Sequence, residues 1–344
     1  MQLTQLSLAL TNILSATSKI VPIPALNLDF TSGTLDPRIN FTRTSNATYF
    51  DSAGVLTTAS TNEPRFDYNP VTLQPNGLLI EEGRINLLLN SDTLSTQSVT
   101  VSAVSQTISF YGTGSIALSG AYTGSLTGTG AFPNRVSLTF TPTAGTLTIT
   151  VTGSVRYAQL EIGLSSTAAP FPTSYIPTTT GQATRNPDIA VMTGTNFSSW
   201  YNQSEGTVYA EADRIYTGNF PGYYYPWVIN DGTQANEIAT YGSQGSIQFT
   251  DSIRVSAVNQ LDYVFGNWTT EPFKSALAFK LNDTQFAFNG SAKATDTSCT
   301  LPTVTQLNIG SRPTSSTNQW NGHIRKLAYW NTRLPNQTLQ YLSR

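Results

Sequence analysis

Ala276-Leu277-Ala278-Phe279-Lys280-Leu281-Asn282-Asp283-Thr284-Gln285-Phe286-Ala287-Phe288-Asn289-Gly290, then Leu307-Asn308-Ile309-Gly310, then Trp320-Asn321-Gly322-His323-Ile324-Arg325-Lys326-Leu327-Ala328-Tyr329-Trp330, is the stretch that decides the fold. The first segment is two apolar runs around Asn282-Asp283, residues that tolerate tight-turn backbone, so it reads as a β-hairpin. The next two segments read as further strands. Arg333-Leu334-Pro335-Asn336-Gln337-Thr338-Leu339-Gln340-Tyr341-Leu342 predicts a short closing helix that starts near Pro335.

Outward from there, Gly206-Thr207-Val208-Tyr209-Ala210-Glu211-Ala212-Asp213 alternates with period 2 and adds a strand, so residues 189–344 read as one β-domain. Residues 93–165 are almost free of charge and rich in Thr, Ser, Gly and Val. Val99-Thr100-Val101-Ser102 and Leu147-Thr148-Ile149-Thr150-Val151 alternate, and glycines from Gly112 to Gly130 supply turns. That pattern predicts a small antiparallel β-sandwich. No Lys-Ser/Thr pair or helix follows those glycines, so they are not a phosphate loop. Pro170, Pro172 and Pro177, with Thr178-Thr179-Thr180-Gly181, predict an extended linker over 166–188. Residues 26–92 break into short strand-like pieces around turns at Asp36-Pro37, Ser52-Ala53-Gly54 and Asn69-Pro70. Leu78-Leu79-Ile80 and Leu87-Leu88-Leu89 predict buried strands there, and Glu81, Glu82 and Arg84 between them predict an internal ion-pair cluster. In residues 1–25, Leu3, Leu6, Leu10 and Ile13 recur at heptad-like spacing. A short assembly or anchoring helix and a terminus packed on its own domain both fit, and Pro22 and Pro24 end any helix.

Charged residues are 11% of the chain, under half of the roughly 25% of ordinary soluble proteins. The polar surface must therefore come from Thr, Ser, Asn and Gln, which suit strands and turns. With 18 Lys+Arg against 20 Asp+Glu the net charge is −2, which gives no electrostatic case for nucleic acid. Cys299 is the single cysteine, so no intrachain disulfide can form; it is expected to be a small buried residue. No apolar run approaches the roughly 20 residues of a spanning helix, and no basic segment precedes the apolar start. Neither membrane insertion nor a secretory leader is expected.

Asn76-Gly77-Leu78-Leu79-Ile80-Glu81-Glu82-Gly83-Arg84-Ile85-Asn86-Leu87-Leu88-Leu89-Asn90 follows Phe41-Thr42-Arg43-Thr44-Ser45 and Glu63-Pro64-Arg65-Phe66-Asp67-Tyr68. That series resembles the N-terminal part of a family of bacteriophage virion proteins, the tail-fibre-like and capsid-fibre-like structural proteins. Gln159-Leu160-Glu161-Ile162-Gly163 and Thr173-Ser174-Tyr175-Ile176-Pro177-Thr178 resemble a second block of the same proteins. There the first segment closes a small sandwich and the second crosses to the next domain. Arg185 and Asp188 stand where the family has a Thr-Arg-x-x-Asp element. The C-terminal order of hairpin, Asn-x-Ile-Gly, Asn-Gly-x-Ile-x-x-Leu and helix is similar to laminin-G-like, concanavalin-A-like jelly rolls.

The resemblance implies an all-β, multidomain chain of antiparallel β-sandwiches. Its parts would be an anchoring segment 1–25, a virion-type β-domain 26–92, a small sandwich 93–165, a linker 166–188 and a jelly roll 189–344. It implies a virion protein assembled in a bacterial cytoplasm, without cofactor, partnered by capsid or tail proteins, and homo-oligomeric, with a trimer favoured. The jelly roll would bind host-surface polysaccharide. Two other roles stay open: a capsid cement protein that recognises no ligand, and a tail-associated depolymerase.

Phe220-Pro221-Gly222-Tyr223-Tyr224-Tyr225-Pro226-Trp227 crowds aromatic rings into a proline-bracketed loop. Such rings stack on sugar faces while amides and carboxylates take the hydroxyls. Trp227 aligns with a core position of the resembled jelly roll. The ligand-contact candidates are Tyr223, Tyr224, Tyr225, Asn230, Asp231, Trp268 and Trp320; for the tyrosines, a subunit interface and local packing remain equal readings. Concanavalin-A-like glycosidases carry Glu-x-Asp-x-x-Glu. Glu211-Ala212-Asp213 supplies its first part, but Tyr216 stands where the second glutamate belongs. A retaining mechanism needs two carboxyls about 5–5.5 Å apart, so the chain is expected to be no enzyme. Glu211, Asp213 and Asp231 offer oxygen ligands for Ca²⁺, but a paired polar face explains them as well and no metal is expected. His323, the one histidine, is expected to be structural.

Overall fold

The computed structural model describes residues 21–166, 168–215, 218, 222–267, 272–313 and 319–344. Among these residues the chain builds two antiparallel sandwiches. The larger pairs an eight-stranded with a seven-stranded sheet. The eight-stranded sheet runs Ser291–Ala292, Gln285–Phe288, Phe273–Lys280, Glu205–Arg214, Gly322–Trp330, Pro75–Ile80 and Phe66–Tyr68, with Leu26–Asp29 also on Gly322–Trp330. The seven-stranded sheet runs Asn40–Thr42, Ile189–Thr193, Gln306–Ile309, Tyr224–Asn230, Glu237–Gly242, Gln248–Val255 and Val258–Asn267. Alternate residues of both sheets, among them Val208, Trp227, Ile238, Phe249, Leu277, Phe286 and Ile324, interlock in one core. Among the described residues the chain is thus an all-β protein of two antiparallel sandwiches, the larger a two-sheet jelly roll.

The smaller sandwich stacks a four-stranded sheet (Gly124–Thr127, Ser115–Gly120, Gly145–Thr152, Gln97–Val101) on a five-stranded one (Gly130–Phe140, Gln106–Gly112, Arg156–Gly163, Arg84–Asn86, Ala183–Arg185). Val99, Ile108, Phe110, Ile116, Leu147, Ile149 and Leu160 form its core. The alternation read from Val99–Ser102 and Leu147–Val151 buries Val99, Val101, Leu147 and Ile149 while Thr100 and Thr150 face out. The hairpin at Asn282-Asp283 and the closing helix Asn336–Leu342 form where expected. That helix lays Leu339 on Ala276, Ala278, Ala287, Ala328 and Trp330, covering part of the outer face of the eight-stranded sheet.

Residues 26–92 do not stand apart as a domain. The strand Gly322–Trp330 has Glu205–Arg214 along one edge, and its other edge is shared by Leu26–Asp29 and Leu78–Ile80. Without them, the middle strand of the jelly roll would present unpaired backbone groups in a buried sheet. The small sandwich is therefore an insertion, leaving the jelly roll after Ile80 and returning at Ile189. Strand pairing also ends at Asn86, before Leu87-Leu88-Leu89. Asn86 Oδ1 accepts from the Leu88 and Leu160 amides at 3.2 and 3.1 Å, while Nδ2 donates to the Ala158 and Ile176 carbonyls at 3.1 and 2.8 Å. This one side chain replaces the ladder and turns the chain, so Leu87 and Leu88 reach the core without being strand. Residues 1–20, with the heptad-like stripe, lie outside the described residues.

The proline-rich stretch after residue 166 is a packed strap and not a free linker. Ala169, Phe171, Thr173, Tyr175 and Ile176 are all buried. Phe171 enters the jelly-roll core and takes the Arg84 guanidinium over its ring at 4.9 Å. Thr107 Oγ1 donates to the Ala169 carbonyl at 2.7 Å, which holds the strap on the five-stranded sheet. Beneath it lies the ion cluster expected from Glu81, Glu82 and Arg84, larger than the sequence suggested. Glu81 Oε2 is 2.7 Å from Arg65 and 3.0 Å from Arg185, and Asp188 meets Arg43 at 3.0 Å and Arg65 at 2.5 Å. Glu82 pairs with Arg84. Ser174 donates to Glu81 from its amide and hydroxyl at 2.7 and 2.6 Å. Burial would raise the Glu81 carboxyl, but Arg185 and Arg65, helped by Ser174, outweigh it and hold it at about 2.

Candidate functional site

Three tyrosines meet on the outer face of the seven-stranded sheet because one strand carries a bulge. Tyr224 pairs with Gly242 and Trp227 with Thr240, so Tyr225-Pro226 oppose Tyr241 alone. Proline cannot donate to the ladder, which suits it to a bulge. Strict alternation would place Tyr225 beside Trp227 in the core. The bulge reverses this: Tyr224 joins Trp227 inside, and Tyr225 turns outward with Val228, Ala239 and Tyr241. Tyr223 meets Tyr241 edge to face at 5.6 Å and is 43% exposed, while Tyr225 and Tyr241 lie 5.1 Å apart.

A cleft of about 260 Å³ opens among these rings, lined also by Glu237, Ser252, Arg254, Asn259 and Arg312. Arg312 lies over the Tyr225 ring at 5.2 Å and grips Glu237 with Nε on Oε2 at 2.9 Å and Nη2 on Oε1 at 2.5 Å. The Glu237 hydrogen bonds outweigh burial and raise the Arg312 pKa, so its charge is fixed. Burial, with Asp262 nearby, pushes the Tyr241 phenol up to about 12, and burial also raises Tyr225. Rigid aromatic faces beside a held guanidinium can stack on and hydrogen-bond to a polyhydroxylated ring.

Of the residues predicted from sequence, the cleft gathers Tyr223 and Tyr225. Trp320 is fully buried, its Nε1 donating to the Asp213 carbonyl at 2.6 Å, and Tyr224 is in the core, so neither shows a ligand a free ring face. Asn230 is also fully buried: Nδ2 donates to Asn308 Oδ1 at 2.8 Å and Oδ1 accepts from the Gly232 amide at 2.8 Å. Asp231 folds its own turn, accepting from the Thr233 amide and hydroxyl at 2.9 and 2.6 Å and from Asn236 at 2.8 Å. Trp268 lies outside the described residues. Tyr241, Glu237, Arg254 and Arg312 were not singled out. Period 2 puts Glu237 and Tyr241 on one face and register sets Arg254 opposite Glu237, but nothing local ties Arg312 to them.

Glu211 and Asp213 are engaged elsewhere. Glu211 is 3.3 Å from Arg325, and Asp213 accepts from His323 Nδ1 at 2.6 Å. His323 Nε2 faces Asp67 Oδ2 at 3.0 Å. Burial would lower this histidine, yet Asp213 and then Asp67 raise it to about 10, so both ring nitrogens donate. The clamped imidazolium lines a cavity of about 250 Å³ between the sandwiches, with Tyr49, Phe50, Tyr111 and Arg135. A ring with both nitrogens committed is no general base. Among the described residues no three or more His, Cys, Asp or Glu gather as metal ligands.

No protein-family model and no curated protein sequence matches the chain. Solved structures similar to it include the IT-sialidase CBM40 of Ruminococcus gnavus bound to α2,3-sialyllactose: 12% identity, 43% of this chain, 86% of that one, TM-score 0.34. NanB sialidase from Streptococcus pneumoniae matches at 13% identity and TM-score 0.36 over 45% of this chain, which spans only 26% of the sialidase. A SAP-like pentraxin from Limulus polyphemus matches at 12% identity and TM-score 0.30, over 40% of this chain and 68% of its own. Likeness this distant carries nothing about ligand or activity, because sandwiches of this kind host unrelated functions.

Proposed function

We propose that this chain is a non-enzymatic bacteriophage virion protein, of fibre or decoration type, that binds a host-surface glycan. The observation that carries the binding step is the cleft of Tyr223, Tyr225, Tyr241, Arg312 and Glu237 on the outer sheet face. The virion step rests on the resemblance of the motifs around Arg65, Glu81, Thr173–Thr178 and Arg185 to phage proteins. In this reading the chain assembles as a homo-oligomer, a trimer by family analogy, with other capsid or tail proteins as partners. It acts on the particle after assembly in the host cytoplasm.

The test joins localisation to binding. Gold-tagged antibody against residues 189–344 should decorate purified virions, and the purified protein should adhere to host cells. Tyr223→Ala should weaken adhesion about tenfold while costing about 1 kcal/mol of stability, the scale of its edge-to-face contact with Tyr241. Unlabelled particles would remove the virion role, and undiminished adhesion by Tyr223→Ala and Tyr241→Ala would remove the cleft.

A further inference from the structure

We infer that the tyrosine–arginine cleft takes a neutral sugar read through adjacent hydroxyls, and rejects an acidic one. This rests on the glycan-binding reading above. Among the described residues, the charged side chains lining the cleft are Arg254, Arg312 and Glu237, with Asp262 beside Tyr241. Their charges cancel, so the cleft offers no net field to an anion.

Geometry points the same way. A carboxylate is held best by a guanidinium fork, an Nε with one Nη. On Arg312 that fork already closes on both Glu237 oxygens. On Arg254, Nη1 and Nη2 donate to the Gln234 and Ala257 carbonyls at 3.1 Å each, and Nε is buried without a partner. Asp262 accepts from Asn259 Nδ2 at 2.5 Å. A carboxylate that takes this fork would have to pull Arg312 off Glu237. Glu237 is 1% exposed and would be left as a buried charge with Arg254 Nη1 3.7 Å away. A hydroxyl pair needs no fork. Each hydroxyl donates and accepts, and the cleft lining offers it the Asn259 amide and the neutral Tyr241 phenol. Its volume lies just below the roughly 300–1,000 Å³ of drug-sized sites, which suits one sugar ring.

The experiment is calorimetric titration of the full chain with methyl glycosides of neutral hexoses, of uronic acids and of N-acetylneuraminic acid, at low and high salt. A neutral glycoside should bind, with its affinity changing less than about twofold with salt. The acidic ones should be weaker by about tenfold or more. Glu237→Gln, checked for folding by near-ultraviolet circular dichroism, frees the Arg312 fork and should gain about tenfold for acidic glycosides in a salt-dependent way. Preference of the unmodified chain for acidic glycosides would overturn the inference and leave the glycan reading standing. No binding of either class by the folded chain would bring down that reading, and the inference with it.

Discussion

Asp251 sits in the core of the larger sandwich, where Thr240 Oγ1 donates to Oδ1 and Oδ2 has no partner. Burial raises its pKa well above the ordinary carboxylate value, and the Thr240 bond only partly opposes this. The sign follows from linkage: above the unfolded value of 3.8 the unfolded chain sheds the proton while the folded one retains it. Stability from this group therefore falls as pH rises from there. Asp251→Asn should raise stability near pH 8 by about 1–2 kcal/mol, the scale of one poorly satisfied buried group. It should also flatten the slope between about pH 4 and 8 in urea titrations. A variant less stable than the parent near pH 8 would refute the account. Single residues also mark where sequence reading reached its limit. Trp227 was legible as core only through its alignment with a core position of the resembled jelly roll, and it is buried there. Tyr224 and Tyr225 were not separable, because a bulge at Pro226 exchanges their faces and period 2 gives no sign of where a bulge falls.

At the scale of elements, the strap from Ala169 to Thr178 shows the same limit from the other side. Prolines and threonines read as a linker because they disfavour helix and interrupt strand ladders, and residues 168–182 are neither helix nor strand. What composition cannot report is that both sandwiches close over the strap. Its bonds are to residues far along the chain: Thr48 Oγ1 donates to the Tyr175 carbonyl at 2.5 Å, and Tyr175 Oη lies 2.7 Å from Ser91 Oγ. Phe171, with Arg84 on its ring, plugs the strap into the jelly-roll core. Phe171→Ala should cost about 3–5 kcal/mol, as for other fully buried phenylalanines, with the strap more readily cleaved by protease. A loss below about 1 kcal/mol would mean the site collapses around the gap or that the strap is not holding the sandwiches. The strands of both sandwiches were largely legible, since alternation and turn residues are local. Which strands share a sheet was not, and Leu26–Asp29 beside Gly322–Trp330 is the clearest case.

For the whole molecule, the ion cluster under the strap decides whether two sandwiches behave as one body. Arg65 joins Glu81 at the start of the insertion to Asp188 at its end, and Asp188 Oδ2 also accepts from the Glu81 amide at 2.9 Å. Neither sandwich can open this site without exposing the other's half, so thermal unfolding should be a single transition. Glu81 sets its acid limit. Its folded pKa of about 2 lies below the ordinary 4.5, so its contribution is complete above 4.5 and is lost as pH falls through about 2. Arg65→Ala removes the shared cation and leaves buried Glu81 to Arg185 alone and buried Asp188 to Arg43 alone, which should cost about 3 kcal/mol. It should also split the calorimetric transition in two, with the jelly roll and the inserted sandwich melting separately. A lowered but still single transition would mean that the strap alone couples the sandwiches. Two transitions in the unmodified chain would mean that the cluster holds each side without joining them.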